Sequence, residues 1–174
     1  GTLRQIREQA GEGPLPCLEI RDEPSLRVRG FMLDISRCKV PTMETLRNLV
    51  LLLARLRYNQ LQLYTEHTFA FRDHETVWRE SSPMTPKEVR EIDNLCIKHG
   101  IELVPNFNSF GHFERWLRHE PYRHLAECPD GFEREEPRIV RDHGGTLRPD
   151  RATLDFLGPL HGEFLENFTS GQFN

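Results

Sequence analysis

The sequence predicts an α/β protein built around a parallel sheet, and three observations carry that prediction. Short β-rich segments alternate with amphipathic helical ones in the order β, α, β, α, β, α, β. The helical segments begin at recognisable caps, and each long polar insertion follows a strand. Such an order fits either an open doubly wound sheet or a β/α barrel, and periodicity alone does not separate the two. Insertions at the C-terminal ends of strands are where a barrel places its site.

The first strand covers Arg29 to Ser36, and Thr42 then caps a helix whose Met43, Leu46, Leu49, Val50, Leu53 and Leu56 recur at helical spacing. Leu61 and Leu63 alternate with polar residues over Asn59 to Tyr64, the period of a second strand, and a polar excursion runs from Thr65 to Met84. Thr85-Pro86-Lys87-Glu88 is a capping box with proline at the first helical position. Val89, Ile92, Leu95 and Cys96 mark that helix's apolar face, and Gly100 stops it. Ile101 to Val104 is a third strand, followed by an irregular stretch from about 120 to 150. Leu154 to Phe168 has helical apolar spacing, and its interior Pro159, which costs a helix about 3 kcal/mol, predicts a kink or a start there. Gln172 to Asn174 is expected to begin a fourth strand.

Composition narrows the function. A net charge of -4 with signs interspersed lacks the clustered basic face of a nucleic-acid binder, and no apolar run reaches the roughly 20 residues of a membrane span. The expected partner is a small or neutral molecule, with no nucleic acid and no membrane; oligomeric state and localisation stay open. Cys17, Cys38, Cys96 and Cys128 form no CxxC pair, so they read as free thiols.

Four stretches, IRDEPSLRVRGFMLDISR, NQLQLYTEHTF, GIELVPNFNSFGH and ENFTSGQFN, resemble glycoside hydrolase family 20, the β-N-acetylhexosaminidases. Arg29, Gly30, Leu33, Asp34 and Arg37 stand in the places of that family's "RG-x-x-L-D-x-x-R", and Ile20-Arg21-Asp22-Glu23-Pro24 in its "I-x-D-x-P" linker. The resemblance implies a fold: the first half, about four β/α units, of a TIM-type (β/α)8 barrel over 29–174. Residues 1–28 would be the tail of a small α+β domain and its linker.

It also implies a chemistry. Family members remove terminal β-linked N-acetylhexosamine by substrate-assisted retaining catalysis, in which the sugar's acetamide oxygen replaces an enzyme nucleophile. The partner would be an N-acetylhexosamine-containing glycan or glycoconjugate, with no cofactor and no metal. The acidic Asp-Glu pair follows the fourth strand in that family, so it is expected beyond Asn174, and this chain alone is expected to be inactive.

The resemblance implies a supporting site in what is present. Arg29 matches the arginine that hydrogen-bonds sugar hydroxyls, a task suited to a guanidinium fork. His112, in SFGH, matches the histidine that pairs with a carboxylate to position the acid. The second strand departs from the family's "H-x-H-L-T-D-D": a gapless count puts His67 at the first Asp, with Glu66 one residue earlier. Side-chain alternation makes that offset decisive, and Glu66 supplies the carboxylate that His112 needs. Glu66 and His112 are therefore the supporting catalytic residues, and Arg29, His67 and Asn108 the substrate contacts. Asn106 and Asn108 replace acids of the family's "P-E-I-D" stretch, the mark of a divergent branch. Asp34 and Arg37 read as structural, and Trp78 and Trp116 as covers of a core edge.

Two other readings compete. One is a metal-dependent barrel hydrolase or isomerase using His67, His74, His112 and a carboxylate. The other is a non-catalytic sugar-binding relative that has kept the pocket and lost the acid.

Overall fold

The computed structural model describes residues 2–174. A first helix, α1 (Thr2–Ala10), is followed by an extended segment leading to β1 (Gly30–Asp34), α2 (Met43–Arg55) and β2 (Gln60–Thr65). Then come the short α3 (Glu75–Trp78), α4 (Pro86–Lys98), β3 (Glu102–Phe107), and two further single turns, α5 (Glu114–Leu117) and α6 (Glu120–Arg123). A small hairpin, β4 (Phe132–Arg134) and β5 (Ile139–Arg141), precedes α7 (Arg151–Leu165). The architecture is α/β, with β1, β2 and β3 side by side in one parallel sheet and β4 antiparallel to β5.

Strand alternation sorts the sheet's side chains. Leu61, Leu63, Leu103 and Phe107 turn to the helical side and join one core with Leu46, Val50 and Leu53 of α2, Val89, Ile92 and Cys96 of α4, and Leu157, Leu160 and Phe164 of α7. The opposite face is polar: Asp34 lies level with Tyr64, and Tyr64 with Asn106. Burying one leucine-rich face and leaving the other hydrogen-bonding fixes the register, because a one-residue slip would exchange them. The four cysteines are free thiols.

The α4 capping box forms as its sequence requires: Thr85 accepts from the Glu88 amide, and the Glu88 carboxylate accepts from the Thr85 amide at 2.8 Å. α7 departs from expectation. Asp150 accepts from the Thr153 amide at 3.0 Å and starts the helix at Arg151, so Pro159 sits inside a helix that neither starts nor breaks there. Burial of Leu157, Leu160 and Phe164 on both sides of the proline outweighs its missing N–H. No strand forms over 172–174, although the Asn174 amide donates to the Pro105 carbonyl at 3.0 Å and its carbonyl accepts from the Phe107 amide at 3.2 Å. That is the bonding of one residue laid parallel beside β3. The short helices and the hairpin carry no long periodicity, and the sequence did not announce them.

Candidate active site

The C-terminal edge of the sheet gathers the polar residues. β2 carries Gln62 and Tyr64 on its polar face, and Glu66 follows at the same phase just past the strand. The Glu66 carboxylate is 8 % exposed, and its Oε1 accepts from the Tyr64 hydroxyl at 2.8 Å and pairs with Arg37 Nη2 at 3.1 Å. A carboxylate this buried has to be met by donors, and here a phenol and a guanidinium meet it.

Arg37 is the hub. Its Nη1 donates to Asp34 Oδ2 at 2.8 Å, its Nη2 lies 3.3 Å from His112 Nδ1, and its guanidinium carbon sits 5.1 Å from the centre of the Tyr64 ring. The hydrogen bond to Asp34 raises the Arg37 pKa above its ordinary value. Burial alone would lift the Asp34 carboxyl; the Ser36 and Arg37 amides and the Arg37 side chain together outweigh it and hold Asp34 below the usual carboxylate range. Tyr64 is shifted upward, chiefly by burial, so its hydroxyl stays protonated and available to donate.

His112 adopts φ 58°, a left-handed conformation that costs an L-residue on the order of 1–2 kcal/mol. The cost places the ring beside Arg37, with Nδ1 3.8 Å from Glu66 Oε1. An arginine nitrogen only donates, so Nδ1 is the accepting ring nitrogen. The expected histidine–carboxylate pair thus takes a different form, with Arg37 standing between the two.

Asn108 donates to the Tyr64 hydroxyl at 2.8 Å. Next to it Gln62 Oε1 accepts from the side-chain amides of Asn106 and Asn174, each at 2.9 Å, so the inner face is a ladder of neutral hydrogen-bonding groups. Met32, Tyr64, Asn106, Asn108 and Asn174 line a concavity of about 350 Å³ there.

Two expected contacts lie elsewhere. Arg29 stands at the opposite end of the sheet, before the first residue of β1 and apart from the Glu66 cluster. Its Nε donates to the Arg57 carbonyl at 2.7 Å and its Nη1 to the Leu26 carbonyl at 2.6 Å, which ties the incoming chain to the bottom of the sheet. His67 points away from Glu66, as alternation demands. It is 6 % exposed, and burial, with the charges of Arg115 and Arg118, pushes its pKa down to about 4. It lines a neighbouring cleft with Arg115 and Arg118.

His74 hydrogen-bonds Tyr122 at 2.8 Å and packs against Trp116 and Phe156, far into the aromatic core. Among the described residues no three His, Cys, Asp or Glu side chains converge as a metal set would. Trp116 is fully buried, and its indole N–H donates to the Glu66 carbonyl at 2.8 Å, bracing the site from behind. Arg37 and Tyr64 are the site residues that sequence reasoning passed over. Their positions carried a signal: Arg37 follows the C-terminal end of β1, whereas Arg29 precedes the strand.

A parallel β/α sheet with a buried carboxylate, an arginine and a histidine at its C-terminal edge makes this an α/β protein with a candidate site at the strand ends. Comparison with known proteins finds similar sequences and similar folds. The chain is 28% identical over 131 residues to a β-hexosaminidase of Akkermansia muciniphila, covering 64% of this chain and 26% of that protein. The solved structure of a β-N-acetylhexosaminidase superposes with a TM-score of 0.75 at 25% identity, covering 99% of this chain and 40% of the other. The family 20 exo-β-N-acetylglucosaminidase of Vibrio harveyi, solved with N-acetylglucosamine, gives 0.71 at 18% identity, covering 87% and 27%. No protein-family profile matches the chain. It spans about a quarter of the length of the curated relatives it matches. In sequence and in fold the chain is similar to β-N-acetylhexosaminidases of glycoside hydrolase family 20.

Proposed function

We propose that the protein to which this chain belongs is a glycoside hydrolase that removes terminal β-linked N-acetylhexosamine by substrate-assisted retaining catalysis. The observation that carries the proposal is the buried Glu66 carboxylate, held by Tyr64 and Arg37 with His112 alongside, at the C-terminal edge of a parallel sheet related to hexosaminidases. In this reading the chain is the opening half of a TIM-type (β/α)8 barrel from residue 29 onward, and residues 1–28 are the end of a small α+β domain with its linker. Asn174, bonded beside β3, is the first residue of the fourth strand, and the acidic Asp-Glu pair follows it.

Each residue then has a task. Arg37, fixed by Asp34 and Glu66 and half-exposed, turns its remaining N–H donors to sugar hydroxyls, the task that the resemblance gives to Arg29. Glu66 and Tyr64 set that guanidinium's position, and His112 accepts from it through Nδ1, which leaves its other ring nitrogen to serve the acid pair. Asn108 and the amide ladder supply neutral partners for a neutral sugar. The acetamide oxygen attacks the anomeric carbon from the face opposite the leaving group as the acid protonates the leaving oxygen. Water then attacks from the face the leaving group vacated, breaking the bond to the acetamide oxygen and restoring the β configuration.

The test is the stereochemistry of hydrolysis of p-nitrophenyl N-acetyl-β-glucosaminide by the full-length protein, followed by NMR. The β-anomer of N-acetylglucosamine should appear first. First appearance of the α-anomer, or no hydrolysis, would contradict the proposal. The 174-residue chain by itself should release no nitrophenol.

A further inference from the structure

Behind the Arg37–Glu66 cluster lies a second cleft of about 470 Å³, into which the proposed reaction places nothing. Lys39, Arg115 and Arg118 line it with His67, Ser81 and Ser82, and Glu80 is its single acid. Three cations against one carboxylate give it a positive field, which low-dielectric walls concentrate. Among the described residues neither Arg115 nor Arg118 has a carboxylate partner within ion-pair distance, although carboxylates pair with Arg37, Arg72 and Arg79 nearby.

His67 gives a second, independent observation. Its side chain is nine-tenths buried in the cleft wall, and among the described residues Nδ1 has no hydrogen-bond partner. Buried polar atoms in folded proteins are nearly always bonded, so an orphan in the wall of a cationic cleft marks a place for a ligand.

The cleft is continuous with the sugar site. Ser36, Cys38, Arg115 and Arg118 also line the cavity of about 500 Å³ that holds Arg37, Glu66 and His112. A group seated between Arg115 and Arg118 therefore sits one side-chain layer from the proposed terminal sugar. Arginine forks match the oxygens of tetrahedral anions, and the Ser82 hydroxyl adds a donor.

We propose that this cleft binds an anionic oxygen ester, a sulfate or phosphate group, carried by the sugar chain that enters the neighbouring site. The sugar-borne part rests on the hexosaminidase reading; the anion site itself does not.

The experiment uses the full-length protein and the R115Q/R118Q variant, both positions being solvent-exposed and outside the Glu66 cluster. Thermal unfolding is followed against inorganic sulfate, inorganic phosphate and chloride at equal ionic strength, which reads anion binding without any turnover. Hydrolysis of p-nitrophenyl N-acetyl-β-glucosaminide is then compared with that of its 6-sulfate and 6-phosphate, which also tells the two esters apart. The expected result is a rise in Tm with sulfate or phosphate beyond that in chloride, lost in the variant. With it goes a kcat/KM preference of at least about tenfold for one ester over the unsubstituted substrate, and that ratio falls to about one in the variant. No excess Tm shift, or one equal in the variant, overturns the proposal. An anion-dependent shift without ester preference overturns its sugar-borne part. If the anion shift holds and neither sugar is hydrolysed, the hexosaminidase reading fails and the anion site stands.

Discussion

Glu66 and His67 are neighbours in sequence with opposite fates, because alternation sends one to the polar face and the other into the wall behind it. Glu66 is met by Tyr64 and Arg37, whereas His67 is buried beside Arg115 and Arg118 and stays neutral down to about pH 4. The unfolded chain takes up a proton on that histidine near pH 6.5, before the folded protein does. Stability from His67 is therefore complete above pH 6.5 and is lost as pH falls toward 4, by on the order of 3 kcal/mol across that window. Thermal unfolding between pH 7.5 and 4.5 should show a smaller acid loss for His67→Gln than for the parent sequence. Equal slopes would mean that the imidazole is not held neutral by burial. The same contrast explains what was legible at the residue scale. The offset between Glu66 and His67 can be reasoned from strand period alone, but the hub role of Arg37 depends on three strand ends meeting, which no local pattern encodes.

Elements were read best where the signal was local. The capping box of α4 needs only Thr85 and Glu88, and both bonds form. Thr85→Ala should lower stability by about 1 kcal/mol, measured by urea denaturation, since the Glu88 amide loses its acceptor. The starts of the first three strands fell within one residue of expectation, since Leu61 and Leu63 state their period in a short span, whereas the strand expected from Gln172 did not form. α7 was misread because proline is a local breaker, while the burial that overrides it is tertiary. Pro159→Ala should therefore stabilise the protein, by about 1–3 kcal/mol in the same assay, by restoring an interior N–H bond. A loss of stability would show that the α7 backbone is adapted to the ring.

For the whole molecule, the sheet has two kinds of end, and the two family-like arginines of its first motif fall one at each. Arg29 fastens the entering segment to the lower end through the carbonyls of Leu26 and Arg57. Arg37 stands at the upper end, with Asp34, Tyr64, Glu66 and His112 around it. The class of fold was legible from the order of elements, and its relation to hexosaminidases from four short motifs. Which end of the sheet each arginine reaches was not, because a motif places residues along the chain and only the sheet sets their ends apart. The most direct measurement is kcat/KM for p-nitrophenyl N-acetyl-β-glucosaminide in the full-length protein carrying Arg37→Ala or Arg29→Ala. Arg37→Ala should lower it by on the order of 100-fold, through lost sugar contacts and a displaced Glu66. Arg29→Ala should lower Tm and leave kcat/KM within about threefold of the parent. Full activity in Arg37→Ala, with the large loss in Arg29→Ala, would contradict the site described.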